Sequence, residues 1–285
     1  MDPCFSVYLV KLYNSMKFIY VLCLMVLSGI HCGHAQTGLT AGPPRIYFVS
    51  EPGQEQVQFV EVSNPSADYE LQLAVSFEDW SYSELGENQL STGGSLSNSC
   101  ADWLSVSEKY FSLKPGESKR IQLRMKVPEN GAVDPDVPVH TAMLFITQMN
   151  PRARQERDGA NIRLAVRSGI KVYHRFPARE SIDLEVTDLR PILLDSIGRF
   201  LEVSFRVEGN VWVEGRIRAE FLNQQDGSKT QLQDISLYSL PGDRRKHYIP
   251  IPQDLSKGKH LASVMFLFED QDLVKIAEIE FNSEE

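Results

Sequence analysis

The residue types that most often carry chemistry are scattered through this chain of 285 residues. Ser, His and Asp are all present, but no GxSxG, HExxH, P-loop or CxxC motif accompanies them beyond residue 36. The histidines there, none spaced from another as metal ligands usually are, are His140, His174, His247 and His260. We therefore predict no enzymatic activity, no metal site and no cofactor, and interpret these histidines as surface or core residues of strands.

Three further side chains could bind a metal or act as a nucleophile. Cys100 follows the polar segment SLSNS, and no basic residue nearby in sequence would lower its pKa, so we interpret it as an incidental thiol. Asp134 and Asp136 in VDPDVP could ligate a metal, but carboxylates beside proline more often belong to a solvated loop. The formal net charge of −9 also argues against a nucleic-acid partner.

Regular charge spacing occurs in one stretch, IRLAVRSGIKVYHR, which covers residues 162–175. Its even-numbered positions carry apolar residues, namely Ile162, Leu164, Val166, Ile170 and Val172. Its odd-numbered positions carry the basic residues Arg163, Arg167, Lys171 and Arg175. This alternation predicts a strand with one apolar and one basic face, about 46 Å long if continuous. Helical spacing also fits some of the apolar positions, but Gly169 and the β-branched residues favour the strand.

Such a strand needs a sheet, and the flanking sequence predicts one. Residues 37–178 alternate short apolar segments with turn signals such as EPGQ, SNPSAD and KPGES, which is typical of an antiparallel β-sandwich. The predicted strands of this domain are Arg45–Ser50, Gln56–Ser63, Leu71–Phe77, Tyr110–Leu113, Arg120–Val127, Thr141–Thr147 and Ile162–Tyr173.

A second set of strands follows FPARES (Phe176–Ser181), which we interpret as a short linker. The segments NQQDGSK and LSKGKH supply turn signals. The predicted strands are Ile182–Thr187, Phe200–Val207, Val213–Phe221, Gln231–Leu237, His247–Ile251, Ala262–Phe268 and Leu273–Phe281. The sequence thus predicts an all-β protein with two tandem immunoglobulin-like β-sandwich domains, residues 37–178 and 179–285.

The first 36 residues are not expected to belong to this fold. Met16 and Lys17 precede an apolar run over residues 18–27, and small residues follow up to Ala35. This is the pattern of a cleaved secretory signal peptide over residues 1–36, with Met16 as a better start than Met1. An uncleaved membrane anchor is the alternative interpretation. Beyond residue 36 we expect no stable membrane span, because no apolar run there reaches 18 residues.

Cleavage would change the composition of the exported protein. Cys100 would be the last cysteine, so no intrachain disulfide could form, and the net charge would be −10. An exported domain without disulfides must be stabilised by its hydrophobic core alone, which agrees with two β domains of full size.

Three segments of the first domain carry a resemblance to a known family. They are PPRIYFVSEPGQEQVQFVEVSNPS, WLSVSEKYFSLKPGESKRIQLRMKVP and IRLAVRSGIKVYHRFPA. Over residues 43–178 the chain resembles the periplasmic pilus-assembly chaperones of the PapD type; the second domain resembles them only by position and strand count. The resemblance implies a periplasmic chaperone that stabilises pilus or fimbrial subunits by donor-strand complementation.

The resemblance also implies roles for individual residues. Arg45 in PPRIYF and Lys171 in GIKVYHR match the cleft pair that grips the C-terminal carboxylate of a bound subunit. Ile162, Leu164 and Val166 match the alternating apolar residues lent to an incomplete subunit. The implied partners are a secreted, pilin-like β-sandwich subunit and an outer-membrane assembly platform.

Physical reasoning from the same residues is compatible with those roles. An exposed strand edge with an apolar face invites aggregation, and Arg163 and Arg167 would blunt it only in part. The same edge could complete a partner that lacks a strand. Arg45 could bind a carboxylate bidentately and Lys171 would add a point charge, each contact being worth about 1.5–3 kcal/mol. Taken singly, each is better interpreted as a solvated residue; it is the flanking matches that favour the cleft pair.

Two other functional classes stay open at this point. The chain could be an immunoglobulin-like structural or adhesive protein of the cell surface, without chaperone activity. It could also bind carbohydrate, which would require an exposed aromatic platform, and Trp80, Trp103 and Trp212 are widely separated in the sequence.

Overall fold

The computed structural model of the chain describes residues 38–129, 134, 136–155, 161–194, 197–269 and 273–283. Within these ranges the protein is built almost entirely of strands, which pack as two β-sandwiches. The predicted all-β class with two sandwiches is therefore confirmed. The domain boundaries predicted from the sequence stay predictions, and the signal peptide predicted over residues 1–36 lies outside the described residues. In the part described, no helix is long and apolar enough to cross a membrane.

The first sandwich contains the first twelve strands, two of which form a separate pair. They are β1 (Thr40–Gly42), β2 (Arg45–Val49), β3 (Glu55–Ser63), β4 (Leu71–Tyr82), β5 (Asn88–Thr92), β6 (Leu104–Val106), β7 (Tyr110–Leu113), β8 (Ser118–Lys126), β9 (Val139–Gln148), β10 (Ala153–Gln155), β11 (Asn161–Arg163) and β12 (Arg167–Arg175). One sheet has the order β1-β3-β8-β6 and the other β2-β12-β9-β4-β5, with β7 also on β4. Strands β10 and β11 pair only with each other.

Alternating side chains determine which face of each strand enters the core of this sandwich. On β12, Ile170 and Val172 are fully buried, and they lie opposite Leu144 and Ala142 of β9. Phe48 of β2 enters the same core. Because these residues take one face of the sheet, the residues between them must face the other side.

The second sandwich contains two sheets of antiparallel strands. Its strands are β13 (Leu184–Leu194), β14 (Gly198–Val207), β15 (Val213–Asn223), β16 (Lys229–Gln231), β17 (Ile235–Ser239), β18 (Arg244–Pro250), β19 (Gly258–Phe268) and β20 (Val274–Ser283). The orders are β13-β14-β18 and β16-β15-β19-β20, with β17 also on β15. Phenylalanines from both sheets, among them Phe205 and Phe266 with ring centroids 5.0 Å apart, form its core.

The predicted strand Ile162–Tyr173 is not continuous, so the expectation of one 46 Å strand is wrong. The partner strand β9 ends at Gln148, whose main-chain NH still donates to Val166 O (2.9 Å). After that point the chain turns toward β4, where the side chain of Asn150 accepts from Gln72 N (2.9 Å). The residues preceding Val166 thus lose their partner, and β11 pairs instead with β10.

Two further differences have local causes. The predicted strand Gln231–Leu237 is split, because Asp234 turns toward Arg218, whose Nε and Nη2 each lie 2.9 Å from a carboxylate oxygen. Strand β5 is absent from the predicted strands, because its segment is rich in Gly, Asn and Ser. It forms because β4 continues past Phe77 and pairs with it.

Candidate functional site between the two sandwiches

Arg45 and Lys171 are brought side by side by a parallel strand pair. Strand β2 runs parallel to β12 with Lys171 opposite Arg45, and Lys171 N donates to Pro44 O (3.1 Å). Since Ile170 and Val172 point into the core, Lys171 and Arg45 share the opposite face of the sheet. The two cations predicted from the sequence are therefore neighbours on one face.

An aromatic cluster joins this face to the second sandwich. Tyr47, two residues after Arg45, stacks on Trp212 with ring centroids 4.9 Å apart. Its hydroxyl donates a hydrogen bond to Glu214 of β15. Buried Tyr173 packs against Tyr47 (5.2 Å) and Trp80 (5.6 Å). Arg45 and Lys171 consequently lie in a cleft with aromatic walls between the sandwiches.

Arg45 contacts an aromatic ring in place of a carboxylate. Its Cζ lies 3.8 Å from the ring centroid of Tyr238, on β17 of the second sandwich. Its Nε is buried without a hydrogen-bond partner, and no carboxylate among the described residues forms an ion pair with it. The guanidinium therefore keeps donors available for an anion.

Lys171 has a similar environment. Its Nζ donates to Tyr82 Oη (2.8 Å) and lies 4.1 Å from the ring centroid of Trp80. Burial, together with the nearby charges of Arg45 and Arg245, lowers the pKa of Lys171 to about 8. An arriving carboxylate would favour the charged amine and thus oppose both effects.

A third cation, Arg245 of β18, comes from the second sandwich. It is only 6% exposed, its Cζ lies 4.6 Å from the Tyr82 ring centroid, and its Nη1 donates to Tyr238 O (2.9 Å). Burial lowers its pKa, while the charge of Asp243 acts in the opposite direction. Burial also raises the pKa of Asp243, whose carboxylate accepts from Leu240 N (2.7 Å).

The cleft therefore holds more positive than negative charge. Three cations line it, against the carboxylates of Asp243 and Glu214; the charge of Asp243 offsets part of that of Lys171 and Arg245, and Glu214 accepts from Tyr47. Each cation contacts a Tyr or Trp ring. Such an arrangement is suited to binding a carboxylate that enters from outside.

The main chain also links the two walls of the cleft. Lys246 N of β18 donates to Glu84 O (2.7 Å), which lies in the turn between β4 and β5. In the same turn, a Cβ on Gly86 would lie 2.1 Å from Nη2 of Arg245, so a side chain there would displace the guanidinium. This turn and β18 form a second point of contact between the sandwiches.

The predicted donor residues are placed differently from the predicted anchor residues. Leu164 is 73% exposed, and Val166 is half-buried against the core of the first sandwich. Ile162 belongs to β11, and its side chain lies outside the described part. Between Val166 and Lys171, Gly169 leaves room for neighbouring side chains, because a Cβ there would lie 2.9 Å from Cε1 of Phe145.

The remaining basic residues of the 162–175 stretch, which the sequence suggests are solvated or rim charges, have different environments. Arg163 is exposed, and Arg167 pairs with Glu78 while its Cζ lies 3.5 Å from the Phe145 ring centroid. Arg175 pairs with Glu180, but its side chain is only 16% exposed and its Nε is buried without a hydrogen-bond partner, so its charge is not solvated.

Sequence reasoning missed Tyr82, Tyr238 and Arg245. For Arg245 a signal existed: it shares a strand parity with His247 and Ile249, so the sequence places a charge among inward-facing residues. The sequence held no comparable signal for Tyr82 and Tyr238, because their role depends on how the two sandwiches meet.

Of the other sequence candidates, Cys100 and two histidines lie in the core of the first sandwich, whereas Asp134 lies in an exposed loop. Cys100 was expected in a polar loop but is fully buried, and burial raises the pKa of its thiol. Asp134 accepts from Asp136 N (2.9 Å) within its loop. His140 and His174 are buried with ring centroids 5.7 Å apart. Among the described residues, no three His, Cys, Asp or Glu side chains are grouped as metal ligands.

The tryptophans are less scattered than the sequence suggested. Trp80 and Trp212 both pack against Tyr173, with ring centroids 5.6 and 5.5 Å from it. Trp80 is fully buried, whereas Trp103 belongs to a separate cluster with His140 and His174. Their convergence thus builds the cleft wall and leaves Trp80 inaccessible to a sugar.

Comparisons with known proteins gave structural neighbours but no sequence relatives. No family model and no curated protein matches the chain. Similar solved structures include a chaperone–tip adhesin complex of CFA/I fimbriae biogenesis (12% identity, TM-score 0.47, covering 86% of this chain and 98% of that one). The class 5 fimbriae chaperone CfaA (11%, TM-score 0.45, 87% and 100%) and the Pseudomonas aeruginosa CupB2 chaperone (12%, TM-score 0.44, 84% and 98%) are also similar. These are proteins of the kind that the sequence resembles, and the function proposed below rests on this chain's own residues.

Proposed function

We propose that the protein is a periplasmic chaperone for exported β-sandwich subunits of the pilin or fimbrial type. Arg45 and Lys171 bind the C-terminal carboxylate of the subunit, and Ile162, Leu164 and Val166 provide apolar side chains to its incomplete sheet. The observation that carries the proposal is the cleft itself, in which adjacent cations contact aromatic rings and no carboxylate of the described residues pairs with Arg45 or Lys171.

The energetic reason is the cost of withdrawing a charge from water without a counterion, which applies in part to Arg45 and Lys171 because both are half-buried. A buried cation that lacks an ionic partner is destabilising, and a ligand carboxylate would offset that cost. A charge-assisted hydrogen bond is worth about 1.5–3 kcal/mol, so each of the two contacts would strengthen binding roughly tenfold or more. The protein would thus bind chains that end in a free carboxylate better than blocked ones.

The geometry of β12 supports a direction for the guest strand. Strand β2 pairs with β12 only from Lys171 to Arg175, so in the described residues the same edge has no strand partner from Arg167 to Ile170. A guest whose C-terminus lies beside Lys171 would extend along this edge toward Val166, about 17 Å away. It would run parallel to β12, in line with β2 and in the same direction.

A pair of synthetic peptides tests the proposal. An acetylated eight-residue peptide of alternating valine and threonine is prepared with a free C-terminal carboxylate and with a C-terminal amide. We expect wild-type protein to bind the acid at least tenfold more tightly in isothermal titration calorimetry. Arg45→Ala and Lys171→Ala should each reduce this preference about tenfold.

The matched control removes a positive charge outside the cleft. Arg167→Ala loses the rim arginine that pairs with Glu78, and it should keep the preference for the acid. Equal affinity of the wild type for both peptides, or no binding of either at millimolar concentration, would contradict the proposal.

The other class left open by the sequence is a structural or adhesive surface protein. Cell fractionation separates it from a periplasmic chaperone. Recovery of the protein wholly in the surface fraction, without a bound subunit, would favour the surface role, whereas recovery from the periplasm with a subunit attached would support the chaperone.

A further inference from the structure

Arg45 is oriented by a residue of the other sandwich. Its Cζ lies 3.8 Å from the Tyr238 ring centroid, which is the distance of a guanidinium against the face of the ring. In this arrangement the guanidinium edge, where its N–H donors lie, points away from the ring. The Nε atom is buried and lacks a hydrogen-bond partner, while the guanidinium also interacts with the hydroxyl of Tyr173, so the Tyr238 ring is the restraint that the second sandwich adds to this side chain.

Tyr238 is in turn fixed by contacts on both sides of its strand. It lies opposite Glu214 in the pairing of β17 with β15, and Glu214 accepts the hydroxyl hydrogen bond from Tyr47. The carbonyl oxygen of Tyr238 accepts from Arg245 Nη1 (2.9 Å). Arg45 and Tyr47, which share one face of β2, thus both contact the β15–β17 pair.

We propose that Tyr238 is a positioning residue for the carboxylate anchor, so that the anchor requires both sandwiches although its two binding cations lie in the first. This inference rests on the proposed function and adds a residue to it. A stacked arginine has fewer rotamers to lose when it binds, so its bidentate contact with a carboxylate forms at a lower entropic cost. Without the ring, Arg45 would keep its charge and its interaction with Tyr173 but lose the stacking contact that restricts its rotamers.

The test compares three variants with the same acid and amide peptides. Tyr238→Leu removes the ring, and we expect the ratio of amide to acid dissociation constants to fall about fivefold. Tyr238→Phe keeps the ring and should retain the wild-type ratio. Tyr110→Leu makes the same replacement at a tyrosine of β7 that is 76% exposed and lies outside the cleft, and it should also retain the ratio.

Each outcome of the test has a defined meaning. Binding of the amide peptide reports whether a variant is folded, because the amide does not need the anchor. An unchanged ratio in Tyr238→Leu, or an equal fall in Tyr110→Leu, would overturn the role of Tyr238 while leaving the proposed function intact. A wild-type ratio of one would instead overturn the proposed function.

Discussion

The two halves of the 162–175 stretch carry the same alternation of apolar and basic residues but have different structures. From Arg167 to Arg175 the chain pairs with β9, and from Lys171 it also pairs with β2 on its other edge. From Asn161 to Arg163 it belongs to a separate pair with β10. Alternation therefore indicates which face would be buried, whereas the partner strand decides where the strand exists.

This difference separates the two parts of the proposed activity. The anchor half, Arg167–Arg175, is held in place because its inner residues are in the core and because Tyr173 on its outer face packs against Trp212 of the second sandwich. The donor half keeps an exposed apolar side chain, Leu164, on a segment that leaves the sheet. Under the proposed function, the anchor is preformed and the donor segment would be aligned when a guest strand arrives.

The largest expected effect comes from truncating one apolar side chain in each half. Ile170→Ala should destabilise the protein by about 2–5 kcal/mol, since it removes a fully buried side chain. Leu164→Ala should change stability by less than about 0.5 kcal/mol, because that side chain is exposed. Urea unfolding followed by fluorescence measures both. Similar losses in the two variants would contradict the distinction between the halves.

Acidification should loosen the anchor half selectively. Burial lowers the pKa of His140 and of His174, which lies on β12, to about 4 from 6.5. Between these values the unfolded chain binds protons that the fold excludes, so stability is complete above pH 6.5 and falls as the pH drops toward 4. At pH 5 the loss should be about 2 kcal/mol for each histidine.

Hydrogen exchange at pH 7.5 and 5, with corrected intrinsic rates, measures this effect segment by segment. Amides of β12 should lose protection at pH 5, while those of residues 161–166 should not change. His140→Phe, which keeps an aromatic ring against Trp103, should remove about half of the acid sensitivity of β12; His247 of the second sandwich, whose pKa burial also lowers to about 4, is present in both proteins. Equal acid sensitivity of β12 in this variant and the wild type would exclude His140 as its cause.

The smallest expected effect concerns the charge on Lys171. Because burial and two arginines lower its pKa to about 8, affinity for the acid peptide should be highest below pH 8. It should fall up to about tenfold by pH 9.5, as the amine loses its proton. Lys171→Arg should flatten this profile, since a guanidinium stays charged. The amide peptide provides the baseline, and an identical decline for it would exclude Lys171.

Features of the fold and the site could be predicted from the sequence where they depend on local residue patterns. Alternation and turn residues predicted the two sandwiches, and the resemblance in PPRIYF and GIKVYHR identified Arg45 and Lys171, which lie opposite each other. The break before Arg167 could not be predicted, because it depends on β9 ending at Gln148 and on the contact of Asn150 with β4. Tyr238 was missed because its role exists only where the sandwiches meet.

The position at which β2 begins has a consequence for how a guest would be chosen. Arg45 opens β2 opposite Lys171, so the free edge of β12 has a fixed end point beside two cations. The register of a guest strand on this edge would be fixed by its C-terminal carboxylate, so each guest residue would be placed by its distance from the C-terminus. Under the proposed function, the protein would therefore select guests by the positions of their residues relative to the C-terminus, and guests of otherwise unrelated sequence could share those positions.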